Sequence, residues 1–214
     1  ADYSNMKIFD FAANACGLGN FTNNELEKAL AGKQANVSLS LGMNWNTVNG
    51  SSTPKDLETM MQLLYLHFTA LKKDEKAYNT LVNMLETSLK NRDLQPEAQF
   101  SDSIYAGLYA HNPRFTPLVA KDLKNISLDR IMQIAHERFA AANNFTFTII
   151  GNFDEQTIRP LVCQYIASLP GKEKAVASPE ARTYFTGKAS IDFKRKMETP
   201  KPYIAKFLGG DIDY

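Results

Sequence analysis

The stretch from residue 136 to residue 170 constrains the fold most, because four structural signals follow one another there with almost no spare residues. In residues 145–150, bulky apolar side chains alternate with threonines, which predicts a strand with one buried and one mixed face. A Gly-Asn pair ends that strand, and Asp154 stands where the N-cap of a second helix is expected. Pro160 falls inside this second helix and should bend it, because its ring removes one backbone hydrogen bond.

Helix and strand signals do not alternate simply along the rest of the chain. Apolar residues at helical spacing, with cap signals, predict helices at 4–15, 22–31, 53–68, 74–89, 96–108 and 127–140. Alternating runs at 37–41 and 43–48 predict an antiparallel strand pair, and alternation returns near 191–193 and 203–207. This order predicts an α+β fold, with helices packed on one face of a mostly antiparallel sheet.

Length and charge narrow the classes of protein. With 214 residues, the chain can hold one large domain, or one domain plus a fragment of another. Its net charge is +1 and its basic residues are not bunched, which argues against nucleic acid or an anionic membrane as the main partner. No apolar run approaches the roughly 20 residues that cross a bilayer. The chain does not begin with Met, so we expect a mature or excised piece, and the lack of a signal peptide does not identify the compartment.

Several groups of residues, taken in order, resemble a known family. They are Glu-Arg-Phe (137–139), Phe-Thr-Phe (145–147), Tyr-Ile-Ala-Ser-Leu-Pro (165–170), and residues 17–26, 30–33, 50–58, 62–69 and 111–114. The set resembles the third domain of long bacterial members of the insulinase/pitrilysin zinc peptidases, over about residues 17–209. The order of the groups carries this resemblance more than any one of them.

The resemblance implies a division of the chain. Domains of this family usually open with two strands ahead of the first helix, and this chain starts at about that helix. We therefore expect residues 1–170 to be a third-domain-like α+β unit without its first strands, 171–187 a linker, and 188–214 the opening strands of the following domain. Because a sheet without those strands exposes an edge, we expect residues 189–209 to fold back into the gap. The alternative is that they swap between copies, which gives a strand-swapped homodimer.

The family's catalytic signature is His-x-x-Glu-His on a helix, where two imidazoles one turn apart hold zinc and the glutamate acts as general base. The three histidines of this chain, His67, His111 and His136, do not have that spacing. The first helix, which should carry the motif, contains no histidine. We therefore predict no catalytic, cofactor-binding or metal-ligating residue in this chain, and zinc only elsewhere in the parent protein.

Each histidine also has a structural interpretation. His67 ends an apolar helix and is interpreted as a partly buried packing residue, His111 as a turn or surface residue, and His136 as part of a solvated helix face. The alternative, in which the three meet in space as a zinc site, stays open. Cys16 and Cys163 are interpreted as separate thiols, with a disulfide bridge as the alternative.

Two functions follow from the resemblance. The first is a non-catalytic domain of a zinc-dependent endopeptidase that degrades peptides. This half, inactive by itself, closes a chamber and positions the peptide substrate, while the N-terminal catalytic half of the same polypeptide holds zinc. The second is a zinc-free scaffold or assembly module of the same fold that binds a protein partner. We favour the first. Long bacterial relatives are often exported, which favours the periplasm or cell envelope.

Overall fold

The computed structural model describes residues 2–42, 44–171, 185, 187–188, 190–192, 194–197 and 199–208, and every structural statement below concerns those residues. Their helices are α1 (Tyr3–Asn14), α2 (Asn23–Ala29), α3 (Leu57–Thr69), α4 (Glu75–Asp93), α5 (Pro96–Leu108), α6 (Leu128–Phe139) and α7 (Glu155–Leu161). Their strands are β1 (Gly17–Leu18), β2 (Ala35–Leu41), β3 (Asn46–Ser52) and β4 (Leu71–Lys72). Short 3₁₀ turns precede α3, α6 and residues 145–150.

N-caps form at the predicted starts of four helices, whereas Thr53, at the start predicted for the helix at 53–68, makes no side-chain cap hydrogen bond. Thr22 and Glu25 make a reciprocal capping box at the start of α2. At α4, a side-chain oxygen of Asp74 accepts a hydrogen bond from the backbone N–H of Ala77 at 3.0 Å. Ser127 caps α6 and Asp154 caps α7 in the same way. The caps satisfy backbone donors that the first helical turn leaves without partners.

The predicted antiparallel strand pair is the hairpin β2–β3. Its register runs from Ala35 opposite Ser52 to Leu41 opposite Asn46. The second strand extends four residues beyond the predicted end at 48. A second sheet pairs β1 with β4 antiparallel over two residues each, and sequence analysis missed it because two residues are too short to show a period.

Two apolar clusters hold the elements together. The first joins α1, β2 and α6, and its fully buried members include Phe9, Leu39 and Phe139. The rings of Phe9 and Phe139 stack with their centroids 5.6 Å apart. The second cluster joins Leu64 and Phe68 of α3 to the hairpin and to residues after α6. The hairpin is therefore covered by helices, as the α+β prediction requires, and that prediction is confirmed.

Residues 145–150 correct one prediction. They are extended, but they pair with no strand in the described part of the chain. Phe145 and Phe147 are partly buried, with ring centroids 5.2 and 5.9 Å from that of Phe68, while Thr146 and Thr148 are exposed. The predicted alternation of faces is therefore correct and the predicted strand is wrong, because a strand also needs a neighbour whose edge is open.

Pro160 lies inside the predicted second helix, and the helical hydrogen-bond pattern changes just after it, while the predicted bend stays a prediction. The α-helical pattern of α7 ends at Leu161, and Val162–Ile166 continue as a π-helix. The backbone N–H of Ala167 then donates to the carbonyl of Val162. The proline has no N–H for the regular ladder, so the hydrogen-bond pattern shifts just after it.

The described residues from 185 to 208 correct the prediction that this segment folds back into a sheet of its own chain, while the strand swap between copies stays a prediction. Among the described residues they join no sheet. Instead they contact α5: the N–H of Phe185 donates to the carbonyl of Leu108 at 2.9 Å, and the ring of Tyr203 lies 5.7 Å from that of Phe100. The segment thus contacts a helix, through one backbone hydrogen bond and one pair of aromatic rings, instead of a strand. The linker expected at 171–187 lies almost wholly outside the described residues.

Candidate functional site

Helix α1 is where the resemblance leads one to look for zinc ligands. One side of it is anchored in the core, where Ile8, Phe9 and Ala12 are 0% exposed. Its polar residues are Lys7, Asp10 and Asn14, together with Tyr3, Ser4 and the buried Asn5 near its start. Asp10 is the one carboxylate in this set, a protonated lysine has no lone pair, and zinc sites use three or four Cys, His, Asp or Glu ligands, so this set does not suit zinc.

Asn14 and Asp10 are bound to the backbone of β2. The N–H of Leu39 donates to Oδ1 of Asn14, and Nδ2 of Asn14 donates to the carbonyl of Leu39, both at 2.8 Å. The N–H of Leu41 donates to Oδ1 of Asp10 at 2.8 Å, and the hydroxyl of Ser40 donates to Oδ2 at 2.6 Å. These two side chains therefore form hydrogen bonds along one edge of β2.

Lys7 has a different environment. Its Nζ donates to Oγ1 of Thr116 at 3.2 Å. Burial lowers the pKa of Lys7, and the nearby carboxylate of Asp122 opposes that shift. Lys7 thus ties α1 to the segment after α5.

The three histidines lie in three different settings. His67 is 8% exposed in α3, with Nδ1 2.8 Å from the carbonyl oxygen of Leu63. Burial lowers the pKa of His67, which favours the neutral ring. His111 is exposed after α5, and His136 is exposed in the last turn of α6. Among the described residues, no three His, Cys, Asp or Glu side chains form a group that could hold a metal ion. That the chain carries no site residue stays a prediction.

The cysteines are both free thiols, so the disulfide alternative is wrong. Cys16 is buried, and its Sγ donates to the carbonyl of Ala12 at 3.2 Å. Burial raises the pKa of Cys16, which keeps it a poor nucleophile. Cys163 is exposed on the π-helix.

Asp56 is a buried acid just ahead of α3. Its Oδ2 accepts hydrogen bonds from the N–H of Gln34 and from the hydroxyl of Thr53, both at 3.0 Å. Nζ of Lys33 lies 3.6 Å from Oδ1. The carboxylate thus joins the start of β2 to the start of α3, and its partners are structural ones.

The described surface includes two polar pockets. One, of about 440 Å³, is at the open end of the hairpin and is lined by Lys33, Gln34, Ala35, Asn36, Ser51, Ser52 and Thr53. The other, of about 430 Å³, is lined by Asp93, Gln99, Asp102, Ser103, Val119, Lys121 and Arg195. Both mix cationic or amide groups with hydroxyls or acids, which does not define a ligand class.

The sequence of this chain is similar to known proteins. Residues 125–212 match the Peptidase M16 inactive domain. The Zinc protease PQQL-like of Arabidopsis thaliana is 28% identical over 116 residues, which are 54% of this chain and 12% of that protein. The Probable zinc protease PqqL of Escherichia coli (strain K12) is 23% identical over 188 residues, which are 87% of this chain and 20% of that protein. This chain therefore spans a fifth or less of the length of these curated relatives.

The fold has a solved counterpart. The crystal structure of the periplasmic protease PqqL from Escherichia coli superposes with a TM-score of 0.73 and 20% identity, over 89% of this chain and 22% of that one. At that identity the match establishes the fold alone. Together the matches confirm the predicted resemblance: this chain resembles the insulinase/pitrilysin zinc peptidases, and its residues 125–212 resemble their inactive domain.

Proposed function

We propose that this chain is a non-catalytic domain of a zinc-dependent endopeptidase that degrades peptides. In this proposal it closes the chamber and positions the substrate, while an upstream half of the same polypeptide holds zinc. Confinement of this kind supplies proximity and excludes water without contact with the scissile bond. The observation that carries the proposal is the match of residues 125–212 to an inactive domain of this peptidase family.

The geometry of α1 supports a role without metal. The polar side chains that α1 offers beside the hairpin, Asp10 and Asn14, are bonded to β2. Both groups already bind backbone atoms of β2, which fixes their orientation toward that strand. This helix therefore serves packing in the present structure.

The scaffold module is the second candidate. Fold alone does not decide between the two, since one fold hosts many functions. The names of the two curated relatives, both zinc proteases, favour the peptidase. The periplasmic relative favours an envelope location for the parent protein. In the described residues, no helix is both long and apolar enough to cross a membrane.

The test compares this chain alone with the full-length parent protein. Zinc is measured by mass spectrometry after dialysis, and cleavage is followed with a quenched-fluorescent peptide. We expect neither zinc nor cleavage from the 214-residue chain, and both from the parent.

Three outcomes distinguish the peptidase domain from the scaffold module. Cleavage by the upstream half that requires this chain supports the proposal. A parent without His-x-x-Glu-His, zinc or cleavage supports the scaffold. Stoichiometric zinc in this chain, lost when His67, His111 or His136 is replaced, contradicts both.

A further inference from the structure

Strand β2 has a sequence that leaves its edge chemically unprotected. Residues 35–41 contain no charged residue and no proline. Natural edge strands usually carry such residues, because a row of unpaired N–H and C=O groups can pair with another chain. An uncharged strand with alternating apolar residues is a good partner for such pairing. Protection of this edge therefore has to come from elsewhere in the molecule.

The register identifies which backbone groups face outward. In an antiparallel pair, residues alternate between directing their N–H and C=O groups at the partner strand and away from it. The N–H and C=O of Leu39 both bond to Asn14, so they point away from β3. Leu41 and Val37 have the same parity in the register. The outward row of β2 thus includes Val37, Leu39 and Leu41.

Two side chains of α1 occupy part of this row. The primary amide of Asn14 accepts from and donates to the same residue, Leu39, as a peptide unit of a neighbouring strand would. Asp10 accepts the next outward N–H, that of Leu41, and also binds the hydroxyl of Ser40. The carboxylate adds a charge at the edge, where the strand has none of its own.

We propose that Asp10 and Asn14 close the β2 edge against strand addition. Their side chains stand where a pairing strand would lie, so a second copy of this chain cannot pair its own β2 there. The proposal concerns this edge alone and does not depend on the peptidase function. It also narrows where an extended peptide could add, since this edge is excluded while α1 is in place.

The first test uses the unaltered protein and amide hydrogen exchange by NMR. The N–H groups of Leu39 and Leu41 should exchange at least about tenfold more slowly than that of Val37, because a hydrogen bond to a side chain must open first. Val37 is the internal control, since it lies on the same edge and has no side-chain partner in the described structure. Equal exchange at the three positions would overturn the proposal.

The second test removes the closure. The variant Asp10→Ala/Asn14→Ala should form dimers or larger assemblies as its concentration rises, measured by light scattering after size-exclusion chromatography. The matched control, Asn24→Ala/Glu155→Ala, removes one amide and one acid at exposed helix positions and should stay as monomeric as the unaltered chain. Adding Ser38→Lys, which puts a charge on β2 itself, should return the double variant to the monomer.

A variant that unfolds is distinguished by its loss of near-ultraviolet circular dichroism. In that event the single change Asn14→Leu is used, and the exchange of the Leu39 amide should then approach that of Val37. A folded double variant that stays monomeric, with Leu39 and Leu41 still protected, would also refute the closure.

Discussion

Residues 37–41 and residues 145–150 have the same kind of sequence and different structures. In both, apolar side chains alternate with serine or threonine. The first run belongs to β2 and is fully paired with β3, whereas the second is extended and pairs with no strand among the described residues. Alternation is thus a property of one strand and reports which side chains face inward. Pairing is a property of two strands and depends on an available edge.

The largest expected effect compares the packing of an aromatic side chain in the core with that of one in residues 145–150. Phe139 is 1% exposed and stacks on Phe9, while Phe147 is only partly buried beside Phe68. Phe139→Ala should lower the free energy of unfolding by about 3–5 kcal/mol, because it leaves a cavity in the core. Phe147→Ala should cost roughly 1–2 kcal/mol, since less area is removed from water in the folded state. Urea unfolding measures both, and equal losses would mean that the extended run is packed as firmly as the core.

A pair of proline substitutions tests whether the backbone N–H groups of the two runs are hydrogen-bonded to a neighbouring strand. Ser38 alternates with the outward residues of β2, so its N–H faces β3, and Ser38→Pro should cost about 3 kcal/mol. Thr148 has no strand partner among the described residues, so Thr148→Pro should change the free energy of unfolding by less than about 1 kcal/mol. Thermal unfolding of the two variants gives the comparison. A large loss at Thr148 would reveal that residues 145–150 are paired after all.

A pH series tests α3, the helix that contacts both runs. Burial lowers the pKa of His67 below its ordinary 6.5, so the unfolded chain binds this proton more readily than the folded chain. Stability should therefore fall as the pH drops below about 6.5, and this group should contribute no slope at higher pH. His67→Gln should reduce that slope in urea unfolding between pH 7.5 and 5.5. A slope that His67→Gln leaves unchanged would exclude His67 as its source.

The smallest effect serves as a control outside both runs. Ala110 follows α5 with φ of 49°, in the left-handed region that favours glycine. Ala110→Gly should raise the free energy of unfolding by about 0.5–1 kcal/mol, because it relieves this strain at the helix end. A decrease in stability would show that the alanine methyl group makes contacts worth more than the strain.

Local signals made most of the helices predictable. The bounds of α5 coincide with the predicted 96–108, and the caps at Thr22, Asp74 and Ser127 lie where short-range chemistry requires them. The hairpin was also predictable, because its two runs are neighbours in sequence. These elements depend on residues a few positions apart, which a sequence displays directly.

Long-range partners were not predictable from one sequence. Asn14 and Leu39 are 25 positions apart, and an amide bound to a backbone has no sequence pattern. The same holds for the contact of Tyr203 with Phe100, which replaced the expected sheet pairing. For the candidate site, the sequence excluded the zinc motif from α1 but could not show what its polar residues bind instead.

Because one thiol is buried and the other is exposed, the two cysteines can be used to measure local unfolding of this chain. Cys163 is open to reagents, whereas Cys16 is 4% exposed and burial raises its pKa. A thiol reagent should therefore label one cysteine per native molecule quickly and the second only when the end of α1 opens. The ratio of the two labelling rates would give the free energy of that local opening, without any added probe or substitution.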